Sequence, residues 1–168
     1  GNGWAGNYFE YEVCSYVGNA FTKIRKCNFI YIERYELREG TKGVLLVGKI
    51  KREIYSCITE DIKTDEVIIT EERVQHIKDR HPNDYERYYE YLTEIIEDPQ
   101  YIVETAKPNT ALILREFKQG TEVFKTVMRL KTSTDNIEYK NSIITFMKIN
   151  EKEWNRLLKN KRILYKKE

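Results

Sequence analysis

The stretch "HIKDRHP", residues 76–82, contains the only two histidines of the chain. His76 and His81 flank Arg80 and stand just ahead of Pro82. Imidazole has an unperturbed pKa near ~6.5, so it takes up and gives back protons at neutral pH, and a guanidinium beside it is a ready holder of phosphate. Together they point to acid–base work on a phosphate; the alternatives are a metal site or packed histidines. The spacing argues against metal, because it lacks both the i, i+4 geometry and the glutamate of an H-E-x-x-H zinc helix, and no third His or Cys is near in sequence. Serine triads and phosphate loops are excluded too, since there is no G-x-S-x-G and no Gly-rich loop opening a helix.

The elements that must position these residues can be read around them. Thr70 stands at a natural N-cap, with Glu71 and Glu72 in the first turn where carboxylates complement the helix dipole. A helix is expected to run to about Arg80 and to end before Pro82, which disfavours helical geometry at His81. At about 100° per residue, His76 and Arg80 lie about 40° apart and His76 and His81 about 140° apart, so the histidines cannot share one face. His81 falls on the apolar side with Val74 and Ile77 and is expected to point toward the sheet. Asn83 or Asp84 then caps a second helix, "YERYYEYLTEIIED", stopped at Pro99.

Beyond it, "YIVE", "ALILREF", "EVFKTVMRLK" and "SIITFMKI" read as strands separated by the turn signals "KPN", "KQG" and "STDN". A short helix around "EKEWNRLL" follows, then "RILYKKE" as a last strand or basic tail. This order predicts an α+β fold, with N-terminal helices packed on one face of a four- to five-stranded antiparallel sheet and the other face free. In "EVFKTVMRLK" a period of two places Phe124, Met128 and Leu130 on one side and Lys125, Val127, Arg129 and Lys131 on the other. Leu112 and Leu114 likewise alternate with Arg115. Arg115, Lys125, Arg129 and Lys131 therefore form the expected basic face.

Charge supports a polyanion partner. The formal net charge is only +2, but residues 1–59 carry nine Lys/Arg and six Asp/Glu, residues 60–104 five and fourteen, and residues 105–168 fifteen and seven. An acidic middle followed by a basic last third fits a polyanion-binding surface, or opposite charges facing each other across packed elements. No apolar run reaches the roughly 18 residues of a membrane span, and the composition is that of a soluble chain. Cys14, Cys27 and Cys57 are odd in number and show no C-x-x-C spacing, so they are expected reduced, with a Cys14–Cys27 bridge as the minority alternative.

Upstream, "NFIYIERYEL" at 28–37 and "GVLLVGKI" at 43–50 look like strands around the turn "REGTKG". The softest boundary is "TEDIKTDE" at 59–66. Residues 1–66 are accordingly expected to be an extension or translocation segment, or part of the same domain, and residues 67–168 to be the functional domain.

The blocks H-I-x-x-R-H-P, K-P-N-T, K-T-S and K-N-S-I-I-T-F, in that order, carry a resemblance. Over roughly residues 46–168 the chain resembles the phage-type nuclease branch of the barnase/EndoU/colicin/RelE superfamily. The resemblance implies a metal-independent ribonuclease that needs no cofactor and serves as the C-terminal toxin of polymorphic or contact-dependent systems. Its substrate would be RNA, tRNA foremost, and its partner a dedicated acidic immunity protein; it would act in the cytoplasm of a target cell after delivery. On this reading His81 or His76 is the acid/base, and Arg80 and Lys107 hold phosphate. Lys131, Thr132, Ser142 and Thr145 line the strand side of a cleft, and Arg115, Lys125 and Arg129 add RNA contacts. A non-catalytic RNA-binding or inhibitor protein of the same fold is the alternative.

Overall fold

The computed structural model describes residues 43–168 and the backbone of two short strands, β1 (Thr22–Lys23) and β2 (Glu33–Tyr35). Cys14, Cys27 and most of the 28–43 strand–turn region lie outside the described residues; Cys57 is a free thiol. The described chain continues as β3 (Val44–Lys49), α1 (Arg52–Tyr55), β4 (Glu66–Thr70), α2 (Glu71–Arg80) and α3 (Asp84–Glu97). Then come β5 (Tyr101–Val103), β6 (Thr110–Phe117), a single 3₁₀ turn at Lys118–Gly120, β7 (Glu122–Arg129), β8 (Asn141–Ile149), α4 (Glu151–Asn160) and β9 (Ile163–Lys166).

The described strands join one mixed sheet in the order β1-β2-β3-β4-β8-β7-β6-β5-β9. The α+β class holds, but the sheet is larger than the four to five antiparallel strands expected, with seven strands between residues 44 and 166 alone. The enlargement has a specific cause. The hairpin of β3 and β4 adds to the β5–β8 meander through a short parallel ladder, Val67 to Asn141 and Ile68 to Ser142. Such a pairing joins segments far apart in sequence, and no local pattern announces it.

The expected helices form where their signals lie. Thr70 Oγ1 accepts the N–H of Arg73 at 3.0 Å, a cap worth about 1 kcal/mol. α2 stops at Arg80 with His81 as C-cap, and Asn83 turns the chain into α3 in a left-handed conformation (φ 72°) without a side-chain cap bond. Val74 and Ile77 of α2 and Tyr85, Tyr88, Tyr89, Leu92, Ile95 and Ile96 of α3 bury the apolar face of the pair. Against them pack Val67, Ile69, Ile113, Phe124, Met128, Leu130, Ile143 and Phe146 of the sheet. Phe124 and Phe146 stack at 5.6 Å in its centre. Leu45, Val47, Ile50, Tyr55 and Ile62 belong to the same core, and Tyr55 Oη donates to Ile96 O at 2.8 Å. Residues 44–66 thus share one core with residues 67–168.

The second face of the sheet is not wholly free. Leu157, Trp154 and Leu158 of α4 cover Val103, Leu112, Leu114, Val123 and Ile149, whereas among the described residues the part over β4, β8 and the end of β7 has no such helix on it. No helix among the described residues is long and apolar enough to cross a membrane.

Candidate active site

The open part of that face holds a cleft of about 390 Å³. Its floor is Val44 and Ile68. Thr70 and Glu72 enter from the start of α2, Arg129 and Lys131 from the end of β7, Ser142 from β8, and Asp135, Glu138, Tyr139 and Lys140 from the β7–β8 connection. Register explains the gathering: Arg129 pairs with Ser142, Ser142 with Ile68, and alternation turns all three to the same side.

The 130–140 connection is held by a dense set of polar bonds. Asp135 takes Arg129 at two points, each 3.1 Å, and accepts the Thr132 N–H at 2.8 Å. These donors, the Thr132 amide first, hold the Asp135 carboxyl below the usual range. Ser133 donates its N–H and Oγ–H to Asp61 Oδ2 at 3.0 and 2.6 Å. The fully buried Asn141 accepts the Lys131 N–H at 2.7 Å and donates to Thr64 O at 2.8 Å. Lys140 pairs with Glu66 at 2.6 Å, and Lys131 Nζ donates to Ile137 O at 3.2 Å. Ile137 and Tyr139 stand out at 87% and 61% exposure, an apolar surface beside the cations.

The sequence-expected residues divide between this cleft and the rest of the molecule. Arg129, Lys131 and Ser142 line it. Thr132 is buried, its hydroxyl within 3.0 Å of Thr134 Oγ1 and 3.2 Å of Asp135 Oδ2, and Thr145 lies farther along β8 opposite Val127. Lys125 sits 4.0 Å from Glu153 of α4. Arg115 does not join the basic face: it turns beneath α3, 2.5 Å from Glu94 and 3.3 Å from Asp98, with its guanidinium over the Phe117 ring. Alternation misplaced it because β6 is buried on both faces over Thr110–Leu114, which erases the polar–apolar contrast. Lys107 is exposed on the β5–β6 turn, and Arg80 is exposed at the end of α2.

Neither histidine ring lines the cleft, and their positions differ. His76 is exposed one helical turn beyond the cleft-lining Glu72, so Glu72, His76 and Arg80 form one stripe at i, i+4 spacing, about 6 Å per step. His81 is half-buried at the break, where its N–H donates to Ile77 O at 2.8 Å and its carbonyl accepts the Asp84 N–H at 3.1 Å. Among the described residues no three His, Cys, Asp or Glu side chains gather as metal ligands do.

The family described as "phage-Barnase-EndoU-ColicinE5/D-RelE like nuclease2" matches residues 46–166. The chain belongs to that nuclease family. No match was found among curated proteins or among solved structures. The matched span begins within β3, at residue 46, so it takes in most of β3 and all of β4, which brings Ile68 and Thr70 to the cleft; Val44 stands just ahead of it. Sequence reasoning missed Glu72, Asp135, Glu138, Tyr139 and Lys140 as cleft residues of the nuclease. The available signal was a ten-residue polar connection, 131–140, between two strongly apolar strands, longer than a hairpin turn requires.

Proposed function

We propose that this nuclease is a metal-independent endoribonuclease toxin that cleaves RNA, tRNA foremost, by attack of a ribose 2′-OH on the adjoining phosphate. The observation that carries the reading is the cleft at the start of α2, where Arg129, Lys131 and Lys140 surround an open sheet surface one turn from His76. A base removes the 2′-OH proton, O2′ bonds to phosphorus, and the P–O5′ bond breaks as an acid protonates the leaving oxygen. The products are a 2′,3′-cyclic phosphate and a 5′-OH. His76, reached from the Glu72 end of its stripe, supplies acid–base catalysis, typically worth about 10²–10⁴ in rate. Arg129, fixed by Asp135, and Lys131 stabilise charge on the phosphorane, and such preorganised cations contribute about as much. Tyr139, exposed at the rim, offers a stacking surface to a splayed base.

The toxin role brings two further elements: delivery into the cytoplasm of a target cell, and an acidic immunity protein in the producer. The test is incubation of the protein with total tRNA in EDTA, with end-group analysis of the fragments. Discrete fragments bearing cyclic phosphate and 5′-OH support the reading. Binding without cleavage converts the protein to the RNA-binding alternative, and activity that appears only with added divalent metal overturns the mechanism.

A further inference from the structure

At the cleft end of the sheet the strands β8, β7, β6, β5 and β9 all present their termini together with the last turn of α4. The β5–β6 turn is fastened there at both ends. The Glu104 N–H donates to Arg162 O at 2.9 Å, and the Leu130 N–H donates to Asn109 O at 2.8 Å. Lys107, at the middle of this turn, therefore lies between Arg129 and Lys131 on one side and the α4–β9 junction on the other. That junction carries Lys159, Lys161 and Arg162; Lys159, Arg162 and Lys107 are exposed and Lys161 is half-exposed. Among the described residues none of these four cations has an ion-pair partner, unlike Lys125, Arg129, Lys140 and Lys167 elsewhere on the basic third. From β7 to β9 is three strand steps, about 14 Å, long enough for several consecutive phosphates.

We propose that Lys107, Arg162, Lys161 and Lys159 form a phosphate track that continues the cleft along the end of the sheet and holds the strand on one side of the scissile bond. The proposal rests on the ribonuclease reading and names its substrate class: a polynucleotide extending several residues beyond the cut, recognised there by its backbone and not by its bases. Unpaired cations in a row suit a polyanion, which requires charge and reach. A protein partner would demand an apolar anchor, and along the track the one large exposed hydrophobic among the described residues is Ile163, at 42% exposure. Glu104, exposed on the same turn, is the acidic side chain that would keep the strand toward the lysines.

The experiment compares the wild type with the triple variant Lys159→Gln, Lys161→Gln, Arg162→Gln and with a control, Lys152→Gln, Lys166→Gln, whose exposed charges lie at the opposite ends of α4 and β9. Binding of a long single-stranded RNA is measured by fluorescence anisotropy across a salt series, and cleavage of that RNA and of a dinucleotide is measured separately. The expected result for the triple variant is a slope of log K against log salt shallower by about 2, at ~0.7 for each phosphate of a single strand that is no longer neutralised. The preference for long RNA over the dinucleotide in kcat/KM should fall with it, while the control stays near wild type. Equal slopes for triple variant and wild type, or an equal change in the control, would overturn the track. Wild type that binds but cuts neither substrate would refute the ribonuclease reading and leave the binding comparison to decide the track by itself.

Discussion

Both guanidinium nitrogens Nη1 and Nη2 of Arg129 face both carboxylate oxygens of Asp135, each at 3.1 Å, and the same carboxylate holds the Thr132 amide. One side chain thus aims the cation of the cleft and anchors the loop that bears Tyr139. Asp135→Ala is expected to lower kcat/KM on RNA at least tenfold and to cost about 1–2 kcal/mol of stability by removing charge-assisted bonds. Steady-state kinetics and thermal melts check this; full activity with Arg129 unanchored would show that the fork is incidental.

His76→Ala and His81→Ala separate the two histidines. With His76 on the Glu72 stripe and His81 at the helix break, the first substitution should reduce kcat about 10²-fold or more and the second much less. A larger loss for His81→Ala, with both variants folded by circular dichroism, would move the chemistry away from the cleft mouth. If both variants keep full rate, proton transfer belongs to other groups.

Asp135 ties part of the protein's acid stability to the cleft. The Asp135 carboxyl is held below its ordinary 3.8, by the Thr132 amide first and Arg129 after it. A depressed folded pKa means the stabilisation is complete above the unfolded value, and it is lost as pH falls through the lower folded value. Asp98 behaves the same way beside Lys167. The melting temperature of the wild type should drop on acidification below about pH 4, and the gap between wild type and Asp135→Asn should narrow over the same range. A gap that stays constant to about pH 2 would remove Asp135 from the acid response.

An immunity protein that works by occlusion must cover the cleft. Acidic character is expected of it, since opposite charge speeds association and rejects wrong partners. Co-purification with the product of the neighbouring gene, followed by competition with RNA, tests the footprint at Arg129 and Lys131. A ternary complex containing both RNA and the inhibitor would refute occlusion.

Much of the scaffold was legible because its signals are local. Thr70, Glu71 and Glu72 announce α2, Pro82 ends it, and the apolar stripe from Tyr85 to Ile96 announces α3. The nuclease family, too, was legible from its ordered blocks. The cleft was less so, since it is assembled by pairings that skip most of the chain. Ile68 meets Ser142 across a parallel ladder, and Lys140 meets Glu66 from 74 residues away. The charge segregation had two readings, and the pairing of opposite charges accounts for part of it. Arg115, Lys140 and Lys167 pair with the acidic middle, whereas Lys107, Lys131, Lys159, Lys161 and Arg162 do not. Total charge could not sort one group from the other, because the sorting depends on which side of the sheet each strand residue faces.

The parallel ladder between β4 and β8 also orders events in time. The β5–β8 meander pairs strands consecutive in sequence, and the antiparallel β3–β4 pair has its own register, but their union waits on a pairing that spans most of the domain. Closing so long a loop is entropically costly and slow, so this seam is expected to be a late step of folding. Ile68, Ser142 and Lys140 come together only at that step. On the proposed cleft, a chain that has built every helix and hairpin but not yet docked these halves is expected to be inactive, with activity appearing only together with the final topology.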